Sequence, residues 1–146
     1  MKALSLITVF LVFSSSIFIS DNEIIYDGLE AEKYHQKKTL SKNSLKASYK
    51  VANGDISKAI STEAASPLIL SYSVETTVGK AAILIEQGSK IIWKKEVDGG
   101  MTEKANNYII QLPEQSDYLV TVRLEQSTGE YNLKWKTDPK KIKNAY

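Results

Sequence analysis

The sequence has no cysteine among its 146 residues and only one histidine, His35. The absence of cysteine excludes disulfide bonds, thiolate metal sites and a cysteine nucleophile, and it leaves no thiol to carry a lipid. A histidine-based relay would need His35 to be delivered from a weakly patterned segment into a site built elsewhere. We therefore expect His35 to be a surface residue and the fold to be held by its hydrophobic core alone.

Catalytic motifs are equally scarce, since HExxH, GxSxG and a Gly-rich phosphate loop are all absent. Two turn-like motifs, Asn53-Gly54-Asp55 and Asp98-Gly99-Gly100, offer too few oxygen ligands for calcium. The carboxylates that could serve a glycosidase lie at predicted turns or outward strand positions: Glu96, Asp98, Glu114, Asp117, Glu125 and Glu130. The sequence therefore predicts no catalytic, cofactor-binding or metal-binding residues, and no enzyme.

Neither sign of charge is in large excess, because the formal net charge is only +2. This value does not by itself imply a nucleic-acid or acidic-membrane partner, and no long block of like charge is present. The basic residues of 138–146 are expected to form a solvated tail. We predict no nucleic-acid partner.

The N-terminus has the pattern of a secretory signal. Lys2 precedes an apolar run over residues 3–13, which the serines Ser14, Ser15 and Ser16 follow. The run extended to Ile19 is still shorter than the ~20 apolar residues of a spanning helix. We expect a signal peptide over 1–20, a secreted protein and no membrane contact after cleavage, with a tether formed by an uncleaved signal segment as the alternative.

Residues 21–44 are polar and irregularly patterned, which predicts a linker or loosely docked segment with a weak helix around 29–38. Apolar and polar residues then alternate, with turn residues between the runs. The predicted strands are 46–52, 56–62, 67–75, 80–86, 90–97, 106–112, 117–126 and 129–136. About eight short strands predict an all-β domain over 45–137, an antiparallel β-sandwich of jelly-roll or Ig-like type.

The register of two predicted hairpins assigns side chains to faces. A two-residue loop at Ser127-Thr128 would bring the inward residues of 117–126 opposite those of 129–136, for example Val122 opposite Leu133. On the outer face this hairpin pairs Arg123 with Asn132 and Thr121 with Lys134. A second hairpin needs a three-residue loop, Glu86-Gln87-Gly88, with Gly88 left-handed. That loop places one set of residues on the inner face: Ile83, Ile85, Ile91 and Trp93.

The same alternation assigns most aromatic residues to the core, which argues against an exposed platform for sugar rings. The aromatic residues predicted to face inward are Tyr72, Trp93, Tyr108, Tyr131 and Trp135. What remains is a polar outer face, and its residues are the candidate ligand-facing surface: Thr121, Arg123, Asn132, Lys134 and Lys136.

The last third of the chain resembles known protein families. The residues that carry this resemblance are Tyr108-Ile-Ile-Gln-Leu-Pro113, then Asp117-Tyr-Leu-Val-Thr-Val122, then Gly129-Glu-Tyr-Asn-Leu-Lys-Trp135. This stretch resembles the closing strands of small secreted Gram-positive β-sandwich proteins of uncharacterised function. It is also similar to the pre-peptidase C-terminal sandwich domains of secreted peptidases. The resemblance implies an exported sandwich and brings no catalytic residues. The calcium-ligand carboxylates of some pre-peptidase domains have no clear counterpart here.

These observations predict an exported, non-enzymatic interaction module that binds a protein or a cell-envelope polymer, without a cofactor. A carbohydrate-binding module is the first alternative, favoured if two or more aromatic faces are coplanar and exposed. A carboxylate-dependent hydrolase is the second, and it would need two carboxyl groups about 5–10 Å apart across a cleft.

Overall fold

The computed structural model describes residues 24–39, 41–62 and 64–137, and these residues form strands and no helix. The strands are β1 (Ile24–Glu30), β2 (Lys33–Gln36), β3 (Ser44–Thr62), β4 (Ser66–Gln87), β5 (Lys90–Asp98), β6 (Met101–Leu112) and β7 (Ser116–Thr137). The described part of the chain thus offers no apolar helix of membrane-spanning length. The predicted signal peptide over 1–20 and the predicted tail over 138–146 lie outside the described residues.

Three strands are long enough to serve two sheets. β3, β4 and β7 have 19, 22 and 22 residues, whereas strands usually have 3–10. Their halves pair with different neighbours: β4 pairs with β6 through 66–76 and with β5 through 80–87. The first sheet therefore has the order β2-β3-β7-β4-β6 and the second has the order β1-β3-β7-β4-β5. Every pairing is antiparallel, as predicted.

The long strands bend together where they cross from one sheet to the other. The register shifts after Tyr49 in β3 and after Thr76 in β4. Gln126 of β7 adopts a left-handed backbone with φ 49° at the same level. Gly79 of β4 has φ 80°, and a Cβ atom there would overlap the carbonyl oxygen of Gln126. Glycine is required at this crossing because the backbones of β4 and β7 approach too closely for a side chain.

The two sheets turn alternate residues to one shared core, as a sandwich requires. The first sheet contributes Leu45, Ala47, Tyr49, Leu68, Leu70, Tyr72, Val74, Ile110, Leu112, Tyr131, Leu133 and Trp135. The second contributes Leu29, Ile56, Ile60, Ala81, Ile83, Ile85, Val97, Tyr118, Val120, Val122 and Leu124. The predicted all-β antiparallel sandwich is therefore confirmed.

The predicted hairpin at Ser127-Thr128 is wrong, because β7 continues through these residues without reversing. Its two halves each lie between β3 and β4. The predicted faces of its apolar residues are nevertheless confirmed, since both Val122 and Leu133 are buried. A bend preserves the two-residue alternation as well as a hairpin does, so the alternation could not distinguish them. The predicted turn at Asn53-Gly54-Asp55 is wrong for the same reason, since β3 also continues through it.

The hairpin between β4 and β5 differs in detail from the prediction. Gly88 is left-handed with φ 60°, as predicted, but Gln87 pairs with Lys90, so the loop has two residues. The extra residue is Ile92, which lies in a bulge and packs against the core. As a consequence, Ile91 is 46% exposed and the prediction that it faces inward is wrong.

The N-terminal part also departs from the prediction. The expected weak helix around 29–38 is wrong, because residues 29–30 end β1 and residues 33–36 form β2, and these two strands pair along opposite halves of β3. Leu29 and Ala31 are buried, so this part of 21–44 is built into the sandwich rather than loosely docked. Edge strands pair on one side and bury few residues, which explains the weak apolar pattern.

Candidate functional site

The outer face of the first sheet carries short polar side chains in its middle and lysines on both sides. One row across the sheet consists of Lys46, Asn132, Ser73 and Lys104, contributed in order by β3, β7, β4 and β6. In the next row, Lys134 of β7 lies beside Ser71 of β4. Ser71 and Ser73 are too short to fill the space between the longer lysines, which leaves a depression along β4.

This depression is the serine groove, which consists of two adjacent parts. The larger part has a volume of about 510 Å³ and is lined by Ser41, Asn43, Ile69, Ser71, Asn107, Lys134, Trp135 and Lys136. The smaller part has a volume of about 260 Å³ and is lined by Lys37, Lys46, Ala47, Ser73, Glu130, Tyr131 and Asn132. Because Ser71 and Ser73 are next-but-one neighbours on β4, the two parts continue each other along the strand.

A bulge in β6 forms one rim of the groove. Asn107 has φ 55° and lies where the register between β4 and β6 shifts. Its backbone N–H donates a hydrogen bond to Ser71 Oγ at 3.0 Å. Asparagine tolerates the left-handed conformation better than most residues, and bulges commonly re-aim side chains beside binding sites. The bulge thus fixes Asn107 as a lining residue above the serine floor.

The opposite rim is the short segment that precedes β3. The carbonyl of Asn43 accepts a hydrogen bond from the Trp135 backbone N–H at 3.0 Å. The Asn43 N–H donates to Ser41 Oγ at 3.1 Å, and Ser44 Oγ donates to the Ser41 carbonyl at 2.6 Å. The first bond attaches the segment to β7 and the other two hold its own backbone, so both rims are held in place before any ligand arrives.

The groove combines several kinds of contact in one place. Ile69 and the inward-facing Trp135 border the groove but are each only 5% exposed, while Ser71 and Asn107 supply hydroxyl and amide groups that both donate and accept hydrogen bonds. Lys134 adds an exposed ammonium group. A concave surface with several convergent polar groups is typical of a site for a small or chain-like polar ligand.

The predicted ligand-facing surface is divided by the bend in β7. Asn132, Lys134 and Lys136 are exposed on the first sheet and line the groove. Thr121 and Arg123 lie on the outer face of the second sheet, on the opposite side of the sandwich. The predicted pairing of Arg123 with Asn132 and of Thr121 with Lys134 is therefore wrong, because it depended on the hairpin.

Thr121 and Arg123 are committed to contacts on their own sheet. Thr121 is 1% exposed, donates to Glu86 Oε1 at 2.7 Å and lies 2.8 Å from the Ser57 hydroxyl. Arg123 donates from Nε and Nη2 to the two carboxylate oxygens of Asp55, each at 3.0 Å. This bidentate hydrogen bond raises the pKa of Arg123.

The same contacts bear on the hydrolase alternative. Asp55 and Glu86 are two carboxylates close together, since Arg123 Nη2 lies 3.0 Å from Asp55 and 3.8 Å from Glu86. Their charges face an arginine that both share rather than an open cleft. Within 24–39, 41–62 and 64–137, no group of three or more His, Asp or Glu residues is placed to hold a metal ion. His35 is exposed on β2 beside Ser48.

Aromatic rings gather at the open side of the sandwich between β5 and β6. The Trp93 and Tyr108 ring centroids are 5.5 Å apart with an interplanar angle of 40°, and Tyr72 lies 6.0 Å from Trp93. Tyr108 is 46% exposed, so its predicted place in the core is wrong, because an inward position on an edge strand remains open to solvent. The rings are tilted, so they do not form the coplanar platform that stacking on sugar rings would use.

Tyrosines occupy the other open side, between β1 and β2. Tyr131 Oη lies 2.6 Å from Tyr34 Oη, and Tyr34 donates to Gln36 Oε1 at 2.7 Å. The Gln36 amide then donates to the Lys46 carbonyl at 3.0 Å. Burial raises the pKa of Tyr34 and of Tyr131, and it raises the pKa of Tyr49 to about 12. This chain of bonds anchors β2 beneath the small part of the serine groove.

A further depression of about 570 Å³ lies beside Ser61, Thr62, Gln115, Ser116 and Asp117. Most of its polar groups form hydrogen bonds within the protein. Ser61 Oγ donates to Asp117 Oδ1 at 2.8 Å, and the Thr62 hydroxyl lies 3.3 Å from the carbonyls of Glu114 and Ser116. The serine groove therefore has the larger set of polar groups available to a ligand.

Comparisons with known proteins find a similarity in fold alone. No protein-family model matches the chain, and no curated protein matches it either. The carbohydrate-binding module CBM4 matches with a TM-score of 0.50 and 7% identity over 82% of this chain and 89% of that one. CBM35 from Paenibacillus barcinonensis matches with a TM-score of 0.48 and 9% identity, covering 83% of this chain and 98% of that one. At 7% identity, the likeness to CBM4 shows a shared β-sandwich fold.

Sequence reasoning missed the groove residues contributed by strands other than β7. Ser71 and Ser73 alternate with Leu70 and Tyr72, which marks them as outward but gives no reason to single them out. The signal that could have drawn attention was the Asn106-Asn107 pair in front of an apolar strand, since asparagine is enriched at left-handed positions. The partners of these residues across the sheet depend on pairings distant in sequence.

Proposed function

We propose that this chain is a non-catalytic module that binds a carbohydrate polymer in the serine groove. The observation that carries the proposal is the composition of the groove: a floor of short hydroxyl side chains with amide and ammonium groups on its rims. Sugar units present several hydroxyl groups around one ring, so several of these groove side chains can hydrogen-bond to one unit together.

The open form of the groove supports a polymer as the ligand. The two parts of the groove lie along β4 and β7 on a sheet surface, and no described element covers them. A chain-like ligand could lie across several rows of side chains at once. Each row adds a few hydrogen bonds of modest strength, so affinity would accumulate with polymer length.

The sequence predicted a protein or a cell-envelope polymer as the ligand, and the proposal restricts the ligand to a polymer. It also changes the expected mode of carbohydrate binding. The tilted pair Trp93 and Tyr108 lies at the sandwich edge and does not line the serine groove, so the groove would bind by hydrogen bonds and charge rather than by ring stacking. Secretion and any tether to the membrane stay predictions.

Affinity electrophoresis tests the proposal. The protein is run in native gels that contain hydroxyethylcellulose, galactan, polygalacturonate or poly(glycerol phosphate), and retardation by at least one polymer is expected. Ser73→Tyr, which fills the floor, and Asn107→Gly, which keeps the left-handed backbone but removes the amide, should both reduce retardation. Ala59→Tyr on the outer face of the second sheet is the matched control and should leave retardation unchanged.

Two results would contradict the proposal. The first is the absence of retardation by every polymer although the protein is folded by circular dichroism. The second is retardation that Ala59→Tyr reduces as much as Ser73→Tyr does, because the binding surface would then not be the serine groove.

A further inference from the structure

The two outer faces of the sandwich carry charges of opposite sign, although the net charge is only +2. The lysines at outward positions of the first sheet are Lys33, Lys37, Lys46, Lys50, Lys104, Lys134 and Lys136, and the described carboxylates on this face are Glu75, Glu130 and Glu32, which lies 3.9 Å from Lys50 Nζ. The second sheet carries Asp27, Asp55, Glu86, Glu96, Asp98, Asp117 and Glu125 at outward positions, with Lys80, Lys94 and Arg123 as cations.

The lysines that line the serine groove are also not neutralised by neighbours. The ion pairs among the described residues involve Lys50, Lys94, Lys95 and Arg123. Lys37, Lys46, Lys134 and Lys136 form none within the described part of the chain. Their ammonium groups are therefore available to an anion from outside the protein.

The carboxylates on this face are confined to one end. Glu75 and Glu130 are cross-strand neighbours on β4 and β7, next to the bend. From Glu130 the outward residues of β7 continue with Asn132, Lys134 and Lys136. The smaller part of the groove therefore contains a carboxylate together with Lys37 and Lys46, whereas the charged residues that line the larger part are Lys134 and Lys136.

We infer that the polymer is a polyanion whose sugar or polyol units carry carboxylate or phosphate groups. This inference rests on the proposed function and specifies its ligand. Lys134 and Lys136 are about 6.7 Å apart along the strand, and Lys46 is about 14 Å from Lys104 across three strand spacings. Cations repeated at these separations match a chain with charges at regular intervals better than a single anionic group.

The shape and composition of the groove favour a carbohydrate over other polyanions. Single-stranded nucleic acid is usually held by exposed rings on which bases stack. The aromatic residues of the groove, Tyr131 and Trp135, are at most 5% exposed. A membrane surface would be met by protruding apolar or basic side chains, whereas the serine groove is concave.

The experiment measures dissociation constants by biolayer interferometry with immobilised polygalacturonate, poly(glycerol phosphate) and neutral galactan. The double variant Lys134→Gln/Lys136→Gln should weaken binding to the anionic polymer about tenfold, because two exposed ion pairs are lost. Glu130→Gln removes a repelling carboxylate and should strengthen binding about twofold. Lys90→Gln at the tip of the β4–β5 hairpin makes a single lysine-to-glutamine change away from the groove and should leave binding unchanged.

The preferred polymer identifies the source of the charge: tighter binding to polygalacturonate assigns carboxylates, and tighter binding to poly(glycerol phosphate) assigns phosphates. Binding to an anionic polymer that 0.5 M NaCl abolishes supports the inference. Three results would overturn it. One is unchanged affinity in the lysine double variant while Ser73→Tyr abolishes binding, which would leave the proposed function standing with a neutral polymer. The second is binding to oligo(dT) that is as tight as, or tighter than, binding to the anionic polymers. The third is binding of that strength to phosphatidylserine vesicles. Failure to bind any polysaccharide would instead contradict the proposed function itself.

Discussion

Gly79→Ala tests the crossing on which the assignment of the two faces depends. Gly79 lies in β4 at the point where the strand leaves the first sheet, and the backbone of β7 passes against it. A Cβ atom added at Gly79 would overlap the carbonyl oxygen of Gln126 and lie 2.6 Å from that of Glu125. Both obstacles are backbone atoms of a paired strand, so neither can rotate away as a side chain would.

Two costs combine in this variant. An alanine with φ near 80° carries a conformational cost of about 1–2 kcal/mol. Overpacking against a fixed neighbour adds about 1–3 kcal/mol. The free energy of unfolding should therefore fall by about 2–5 kcal/mol, and at about 4 °C per kcal/mol the melting temperature should fall by about 8–20 °C.

Gly88→Ala is the matched control, because Gly88 is also left-handed, with φ 60°, but a Cβ atom there meets nothing within 4 Å. The Gly88→Ala variant should carry only the conformational cost, so its melting temperature should fall by about 4–8 °C. Urea unfolding followed by tryptophan fluorescence, with thermal circular dichroism, measures both variants. Equal losses in the two variants would refute the crossing, and with it the placement of Arg123 and Lys134 on opposite faces.

Two further predictions concern the buried tyrosines. Tyr34→Phe should destabilise the protein by about 1–3 kcal/mol, because it leaves the fully buried Tyr131 hydroxyl without its partner, whereas Tyr131→Phe should cost only about 0.5–1.5 kcal/mol. Urea unfolding gives both values, and the reverse order would contradict the orientation in which Tyr131 donates to Tyr34. Stability should also fall between pH 10.5 and pH 12. The tyrosines ionise near pH 10 in the unfolded chain, but burial raises the pKa of Tyr49 to about 12 and also raises those of Tyr34 and Tyr131, so the folded state binds more protons in this range. The urea midpoint measured against pH tests this, and a flat midpoint would contradict the burial of these hydroxyls.

The sequence was sufficient for the fold class and for most of the core, because both depend on local alternation. Val122, Leu124, Tyr131 and Leu133 are buried as the two-residue period predicts. The period fails at edges, where an inward residue has no neighbouring strand to cover it. Tyr108 is exposed for that reason, whereas Ile91 faces outward because Ile92 forms a bulge.

The candidate site could be predicted only in part, because it is assembled from four strands and the segment before β3. Asn132, Lys134 and Lys136 belong to a single strand and were found as one alternating polar set. Ser71 and Asn107 meet through a bulge whose register follows from the pairing of β4 with β6. No local pattern contains that pairing, since it joins residues that are distant along the chain.

The net charge of the chain is small because the two faces nearly cancel, and the bend in β7 is what separates them. Before the bend, the outward positions of β7 include Asp117 and Glu125, while after it they include Lys134 and Lys136. Had β7 been a hairpin, these charges would have shared one surface. Because the strand crosses between the sheets instead, one outer face is available to an anion and the other repels it. A polyanion that approaches the molecule is therefore oriented toward the serine groove before contact, and salt should slow its association more than its dissociation.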